Sequence, residues 1–409
     1  MIMVEWKDYK LVDITDLVID YRGKTPLKLG SDWSSSGYRA LSAKNIKTGQ
    51  IVAHDSIRYV DEDLYHKWMK DEVKRGDILI TSEAPFGQVF YWDSDEKIVL
   101  SQRLFCVRIK KEIDSRFVYY YMTTSRFQSE MSSRASGTTV LGLRQPELLK
   151  CSISIPSLDI QCRIASILSS LDDKIAVNKK ICENLEAQAQ ALFKHWFIDF
   201  APFKDGKFID SELGLIPEGW RVCTLGELCK CELGGTPSRA NKSYWGGNIA
   251  WINSGEVNKF RICEASEYIT EEGLNHSATK LLPSKTTVLA ITGATLGQIS
   301  LLEIDSCANQ SVVGVKENEN IPYTFIYPSL KGNINKLVNM QTGGAQQHIN
   351  KDNIQSLQII VPTKNIMEEY NLTTLPLYEE IGKLCFENLR LSTLRDTLLP
   401  KLMSGQIKV

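Results

Sequence analysis

The chain has 409 residues, of which 43% are hydrophobic and 24% charged, and its formal net charge is -1. Domains usually run to about 100–200 residues, so two or three folded units with ordinary cores are expected. A balance this close to neutral excludes a globally basic nucleic-acid binder, so any such surface has to be local, and the absence of an apolar run of about 18 residues argues against a membrane span.

The N-terminus, MIMVEWKDYK, lacks the apolar centre of a secretion signal. Ten cysteines are scattered without a C-x-x-C pair, the closest being Cys229 and Cys231, and only five histidines could assist them. They read as the reduced thiols of a cytoplasmic protein, several of them in cores, rather than as zinc ligands.

Residues 1–157 carry short β-rich runs such as DILI and KIVL, split by Gly and Pro, and are expected to form a first mixed α/β domain. The pattern changes after Pro156. Ile164, Leu168, Leu171, Ile175, Asn178, Cys182, Leu185, Ala189, Leu192 and Trp196 alternate in steps of four and three, with no Gly or Pro between Asp159 and Phe200. That spacing is a heptad seam, so a long helix is expected over 158–200. Residues 201–218, within APFKDGKFIDSELGLIPEGW, are rich in Gly, Pro and charge and read as a linker. A second domain is expected over 219–362. A second long helix follows over 363–409, with its seam at Leu377, Ile381, Leu384, Asn388, Leu391, Arg395, Leu398 and Leu402, and with Pro400 expected to bend or end it.

The two halves repeat each other. Trp6…Leu11…Ile14 parallels Trp220…Leu225…Leu228, GKTP (from Gly23) parallels GGTP (from Gly234), and YRALSAKNI parallels IAWINSGEV. ILITSEAPFGQV, ending at Val89, parallels VLAITGATLGQI, ending at Ile299. Ser101-Gln102 then parallels Asn309-Gln310, SGTTVLGL parallels TGGAQQHI, and SISIP parallels QIIVP. Seven blocks in one order point to a duplicated domain.

A helix with one apolar seam must bury it. Two such helices can bury each other, or each can lie on its own domain; a 4-3 repeat held over four heptads favours a helix partner. Antiparallel packing would place the two domains at opposite ends of a rod. From Ile164 to Trp196 that rod rises about 48 Å, comparable with the half-site spacing of about 34–36 Å on B-DNA. Asn178 and Asn388 are expected to fix the register, within about a turn or two of each other.

Sequence readers need donors and acceptors at base edges and cations at phosphates. Between Asp20 and Gln50 six basic residues (Arg22, Lys24, Lys28, Arg39, Lys44, Lys47) face two acidic ones, Asp20 and Asp32; Thr25 and Asn45 lie among them. The second copy sets Lys230, Arg239, Lys242, Lys259 and Arg261 against Glu232 and Glu256, with Thr236, Ser238 and Asn258 interspersed. A solvated charged loop would look the same for any one lysine; recurrence in both halves lifts the pair. The loops preceding the long helices add Arg134, Thr138, Thr139 and Arg144 in the first copy, and Gln346, Gln347, Asn350 and Lys351 in the second. Side-chain amides suit adenine edges, although Asn350, with Asn353 three residues on, also reads as a helix N-cap.

No phosphate-binding G-x-x-x-x-G-K-[ST] loop, no G-x-G-x-x-G dinucleotide loop and no N-P-P-[FY] or D-P-P-Y segment occurs. His195, in KHW, reads as a flank of the seam. No cofactor is expected for this chain itself.

The stretch DIQCRIASILSSLDDKIAVNKKICENLEAQAQALFKHWFIDF closely resembles the central region of specificity subunits from type I restriction-modification systems. IPEGW, the terminal LRDTLLPKLMSGQI, both G-x-T-P loops and the paired pre-helix loops resemble the same family. The resemblance covers nearly the whole chain. It implies an α+β fold in which two similar target recognition domains are separated by two long antiparallel coiled-coil helices with pseudo-two-fold symmetry. It implies a non-catalytic subunit that reads a bipartite, asymmetric site on double-stranded DNA, with the helices as a ruler for the spacer. The implied partners are methyltransferase subunits, which bring S-adenosylmethionine and methylate adenine, and motor-nuclease subunits, which bring ATP. Two departures are visible: Pro146 stands where the second copy has Asp352, and Arg395 interrupts the second seam. The competing readings are a self-sufficient DNA methyltransferase or nuclease, and a coiled-coil adaptor that joins proteins only.

Overall fold

The computed structural model describes residues 6–137, 140–341 and 348–409. The chain divides into two compact units, Met1–Asp173 with Leu391–Val409, and Lys174–Arg390.

In the first unit, β1 (Thr15–Asp20), β2 (Ile78–Thr81), β3 (Val89–Tyr91) and β4 (Leu104–Ile109) form an antiparallel sheet in the order β1-β4-β2-β3. Successive side chains of a strand point to opposite faces. Ile78, Ile80, Phe105 and Val107 enter one core, with the helices Ser115–Thr123 and Ser125–Ser133. Leu79, Leu104 and Cys106 enter another, built on Leu41, Leu64, Trp68 and Val99. A sheet covered on both faces needs no polar alternation, which is why DILI reads as a continuous apolar run. In the second core, Tyr38–Leu41 is flanked by Arg58–Val60, antiparallel, and by Ile98–Leu100, parallel. A ribbon of Lys7–Lys10 with Ser152–Ile155 closes the module.

The second unit repeats this plan strand for strand. β5 (Lys230–Leu233), β6 (Thr287–Ala290), β7 (Ile299–Leu301) and β8 (Val312–Lys316) form a sheet in the order β5-β8-β6-β7. Trp245–Ile252 is flanked by Glu267–Ile269, antiparallel, and by Ser306–Ala308, parallel. Arg221–Thr224 pairs with Gln358–Val361. Leu289, Val313 and Val315 face one core and Val288, Ala290 and Val312 the other. The segment expected to link the halves is itself folded. It forms a 3-10 turn at Ala201–Phe203 and a hairpin of Phe208–Ser211 with Gly214–Pro217, and Phe203 packs 5.0 Å from Trp220 and 5.9 Å from Trp196. Its Gly and Pro residues therefore mark turns rather than an open tether.

Both seams are helical: a central helix spans Leu158–Phe197 and a C-terminal helix Lys364–Met403, 40 residues each. In the first unit Ile164, Ala165 and Leu168 share a core with Leu402 and Met403, and Arg395 donates to Asp172 at 2.6 Å. The cation that interrupts the second seam is thus neutralised across the helix pair. The Tyr120 hydroxyl donates to the same carboxylate at 2.6 Å. In the second unit the Asn178 amide donates to Asn388 Oδ1 at 2.9 Å and to Glu387 Oε2 at 2.8 Å. Cys182 meets Ile381 and Leu384, and Phe197 meets Tyr370 at 4.7 Å. Within each unit numbers rise on one helix as they fall on the other, so the pair is antiparallel, and the two asparagines are direct partners. Helix-on-helix and helix-on-module packing prove complementary, because Ile164, Leu168 and Phe197 also belong to module cores. Pro400 does not break the C-terminal helix, which ends at Met403.

Candidate nucleic-acid interface

Strand order brings distant loops together. In the first sheet the end of β1 lies beside the start of β4, the end of β2 and the start of β3, through the pairs Asp20–Phe105, Phe105–Ile80 and Ile80–Val89. That edge therefore carries the GKTP loop, Ser82–Gln88 and Ser101–Arg103. The pre-helix loop docks there too: the Leu143 amide donates to Ser82 O at 3.0 Å, and Arg22 Nη1 donates to Leu143 O at 3.2 Å. Two further turns join. The Ala43 amide donates to Gln102 O at 3.1 Å, and the Gly49 amide to Val89 O at 3.1 Å.

The second sheet assembles the same set. Leu233 pairs with Val313, which pairs with Leu289, which pairs with Ile299. The Gly235 amide donates to Ala308 O at 2.8 Å, and the Ile349 amide to Ile291 O at 3.0 Å. The Asn309 amide donates to Ile252 O at 3.0 Å, and the Thr236 hydroxyl bonds Gln310 Oε1. A Cβ at Gly234 would overlap the carbonyl oxygens of Asn309 and Ala308, so this loop needs glycine to lie against the end of strand Ser306–Ala308, whereas Gly23 in the first copy stands in open space. Five of the seven repeated sequence blocks thus converge at the equivalent sheet end in each copy.

The expected contact residues fall into three groups. Lys44, Lys47, Arg144, Lys242 and Asn258 are exposed, and among the described residues their side chains make no hydrogen bond or ion pair. Their polar groups are uncommitted within the described fold. Others are exposed or half-buried but already engaged. Arg22 grips Asp20 through two 2.8 Å contacts and lies 4.0 Å over Phe105. Lys24 donates to Trp68 O at 2.5 Å and sits over Tyr21, with burial and then Lys70 holding its pKa below the ordinary value. Thr25 accepts from the Lys28 amide at 3.3 Å and Lys28 bonds Gly23 O at 2.8 Å, which shapes the loop. Arg39 is bidentate to Glu96, Arg134 pairs with Glu130 at 3.0 Å and Lys259 with Glu256 at 3.3 Å. Arg239 is bidentate to Glu267 and lies 3.5 Å over Trp245, while Ser238 O accepts from Trp245 Nε1 at 3.2 Å. Asn350 caps helix Lys351–Gln355, exchanging bonds of 2.9 and 2.8 Å with Asn353, and Lys351 follows it, half-buried.

The third group is corrected by burial. Asn45 is 1% exposed; its amide is used on Ala53 O and Ser56, and its oxygen on the Ser42 amide. Arg261 is 5% exposed and ion-paired to Glu186 at 2.6 Å. Neither can meet a duplex. Thr138, Thr139, Gln346 and Gln347 lie outside the described residues. The sequence reading also passed over Gln88, Gln102, Gln298 and Gln310, although the repeat had flagged their blocks, and Arg103, which directly follows one. Arg103 has φ +63°, an uncommon left-handed conformation for a side-chain-bearing residue. It is held by its carbonyl accepting from the Ser82 amide at 2.8 Å and by Glu83 at 3.1 Å. Such conformations cluster where a ligand is met.

Uncommitted lysines beside a shaped loop cluster predict a specific solution behaviour. Replacing Lys44 and Lys47 by Ala is expected to leave thermal stability unchanged. Duplex binding should weaken across all sequences, with the salt slope falling by about 2 if each meets one phosphate. A titration of affinity against salt checks this.

Fold and loops together define a duplicated α+β protein that presents one loop cluster per module. The model of the type I restriction modification DNA specificity domain matches residues 3–187 and 217–370, and the chain belongs to that family. It is 30% identical to the type I restriction enzyme MjaIX specificity subunit of Methanocaldococcus jannaschii, over 98% of this chain and 94% of that one. It is 26% identical to the HindI specificity subunit of Haemophilus influenzae, over 99% of this chain and all of that one. The crystal structure of an S subunit from M. genitalium shares the fold, with a TM-score of 0.60 at 16% identity, covering 98% of this chain and 96% of that one. Among the described residues no helix is long and apolar enough to cross a membrane.

Proposed function

We propose that this chain reads a bipartite, asymmetric target on double-stranded DNA, one half-site per module, and directs methyltransferase and motor-nuclease subunits to it without performing catalysis itself. The modules comprise residues 1–157 and 219–362, and the helices over 158–200 and 363–409 set the spacer between half-sites. The observation that carries this reading is the pair of loop clusters. Their backbone frames match while side chains at corresponding positions differ: Arg22, Lys24 and Arg103 in one stand where the other has Leu233, Gly235 and Ser311. A shared frame with divergent tips is what two different half-sites require. Lys44, Lys47, Arg144 and Lys242 serve phosphates, and amides such as Gln102 and Gln310 serve base edges.

The test is selection from a pool of random-sequence duplexes by the chain assembled with its methyltransferase partner. Enrichment of two short motifs at one fixed separation is expected. An unenriched pool would count against DNA reading and favour the adaptor. Methyl transfer by the purified chain supplied with S-adenosylmethionine alone would favour the self-sufficient enzyme.

A further inference from the structure

Arg261 was expected at the DNA, yet it sits inside the second unit at the centre of a buried ionic junction. Its Nη2 donates to Glu186 of the central helix at 2.6 Å, and its Nε lies 3.7 Å from Glu303. Lys331 reaches Glu186 at 2.9 Å. Lys285 reaches Glu303 at 2.7 Å and Glu379 of the C-terminal helix at 3.4 Å. The three carboxylates are matched by three cations, and the side chains of Arg261, Glu186 and Glu303 are 0%, 8% and 2% exposed. The fit extends to the backbone: a Cβ at Gly382 would come within 2.7 Å of Glu303 Oε2, so glycine on the C-terminal helix admits this carboxylate. Burial pushes the Glu186 carboxyl up, but Arg261 and Lys331 outweigh it and hold the group below its ordinary range.

An apolar contact between module and helices would tolerate sliding, because one greasy surface matches another. A buried ion does not, since displacement by a residue strands it without a partner. Such a junction contributes uniqueness of seating more than net stability. The corresponding junction of the first unit, Tyr120–Asp172–Arg395, is smaller and its two charged side chains are each 29% exposed.

We propose that Arg261 is a positioning residue, which with Glu186 and Glu303 locks the second recognition module to both helices in a single seat and so sharpens the choice of spacer length. This rests on the bipartite reading above, and the test separates the two. The variants Glu186→Gln with Arg261→Met, and separately Lys331→Met, are assembled with the methyltransferase partner. Each complex selects from duplexes carrying both enriched motifs at separations differing by single base pairs. In the wild type a strong preference for one separation is expected; no preference there would overturn both the bipartite reading and the positioning role. In the double variant, preference for the optimal separation over its neighbours should fall at least about 5-fold, the scale of one mismatched pair, while base preference within each motif is retained. An unchanged separation profile would overturn the positioning role alone, and so would base and separation preference declining in parallel, as simple loss of folded protein predicts. Should the double variant fail to fold, Lys331→Met, at a half-exposed position, decides by the same readout.

Discussion

Inserting seven residues between Asp173 and Lys174, with seven more between Arg390 and Leu391, should lengthen the recognised spacer by about three base pairs. Seven helical residues add about 10 Å, and B-DNA rises about 3.4 Å per base pair. A full heptad returns each seam to its own face, so Asn178 can still reach Asn388 and Asp172 can still reach Arg395. The motifs read by each module should not change. Inserting into one helix alone should offset the Asn178–Asn388 pair and unpair the seam, with loss of binding. Duplex selection on the paired insertion checks this, and an unaltered gap would refute the ruler.

The second large effect concerns the seam itself. Leu168 is fully buried, in a core shared with Leu402 and Met403. Leu168→Asp strands a charge in that core and should cost about 4 kcal/mol or more, in the range reserved for buried unpaired charges. Leu171 and Leu185 are only partly buried, so Asp at either should cost less. Val177, on the same helix but 52% exposed, should tolerate Asp within about 0.5 kcal/mol. Denaturant midpoints of the four variants should follow this order.

Much of this architecture was legible in the sequence because periodicity and repetition are properties of order along a chain. The 4-3 spacing from Ile164 to Trp196 gave the central helix, and the seam positions of Asn178 and Asn388 gave their meeting. The spacing of Asn350 and Asn353, three residues apart, gave the cap. The residues that misled were those whose chemistry is ambiguous until burial is known. Arg261 follows Lys259 in a basic stretch, and only the fold reveals Glu186, 75 positions earlier, beside it. Asn45 offers an amide suited to adenine, but the fold turns it inward, where it donates to Ala53 O and the Ser56 hydroxyl of a following turn. Gln102 and Arg103 were passed over because their place beside the GKTP loop depends on strand order, which joins β1 to β4 across more than eighty residues. The hairpin within 201–218 was hidden for a similar reason, since Gly and Pro punctuate turns and tethers alike.

The most direct test of the central claim is to map methylated adenines in the genome of a bacterial strain free of other adenine methyltransferases, expressing this chain with its methyltransferase partner. The account predicts one two-part motif, with dissimilar halves separated by a gap of constant length and indifferent sequence. Methylation at an uninterrupted motif, or at halves separated by gaps of variable length, would contradict it.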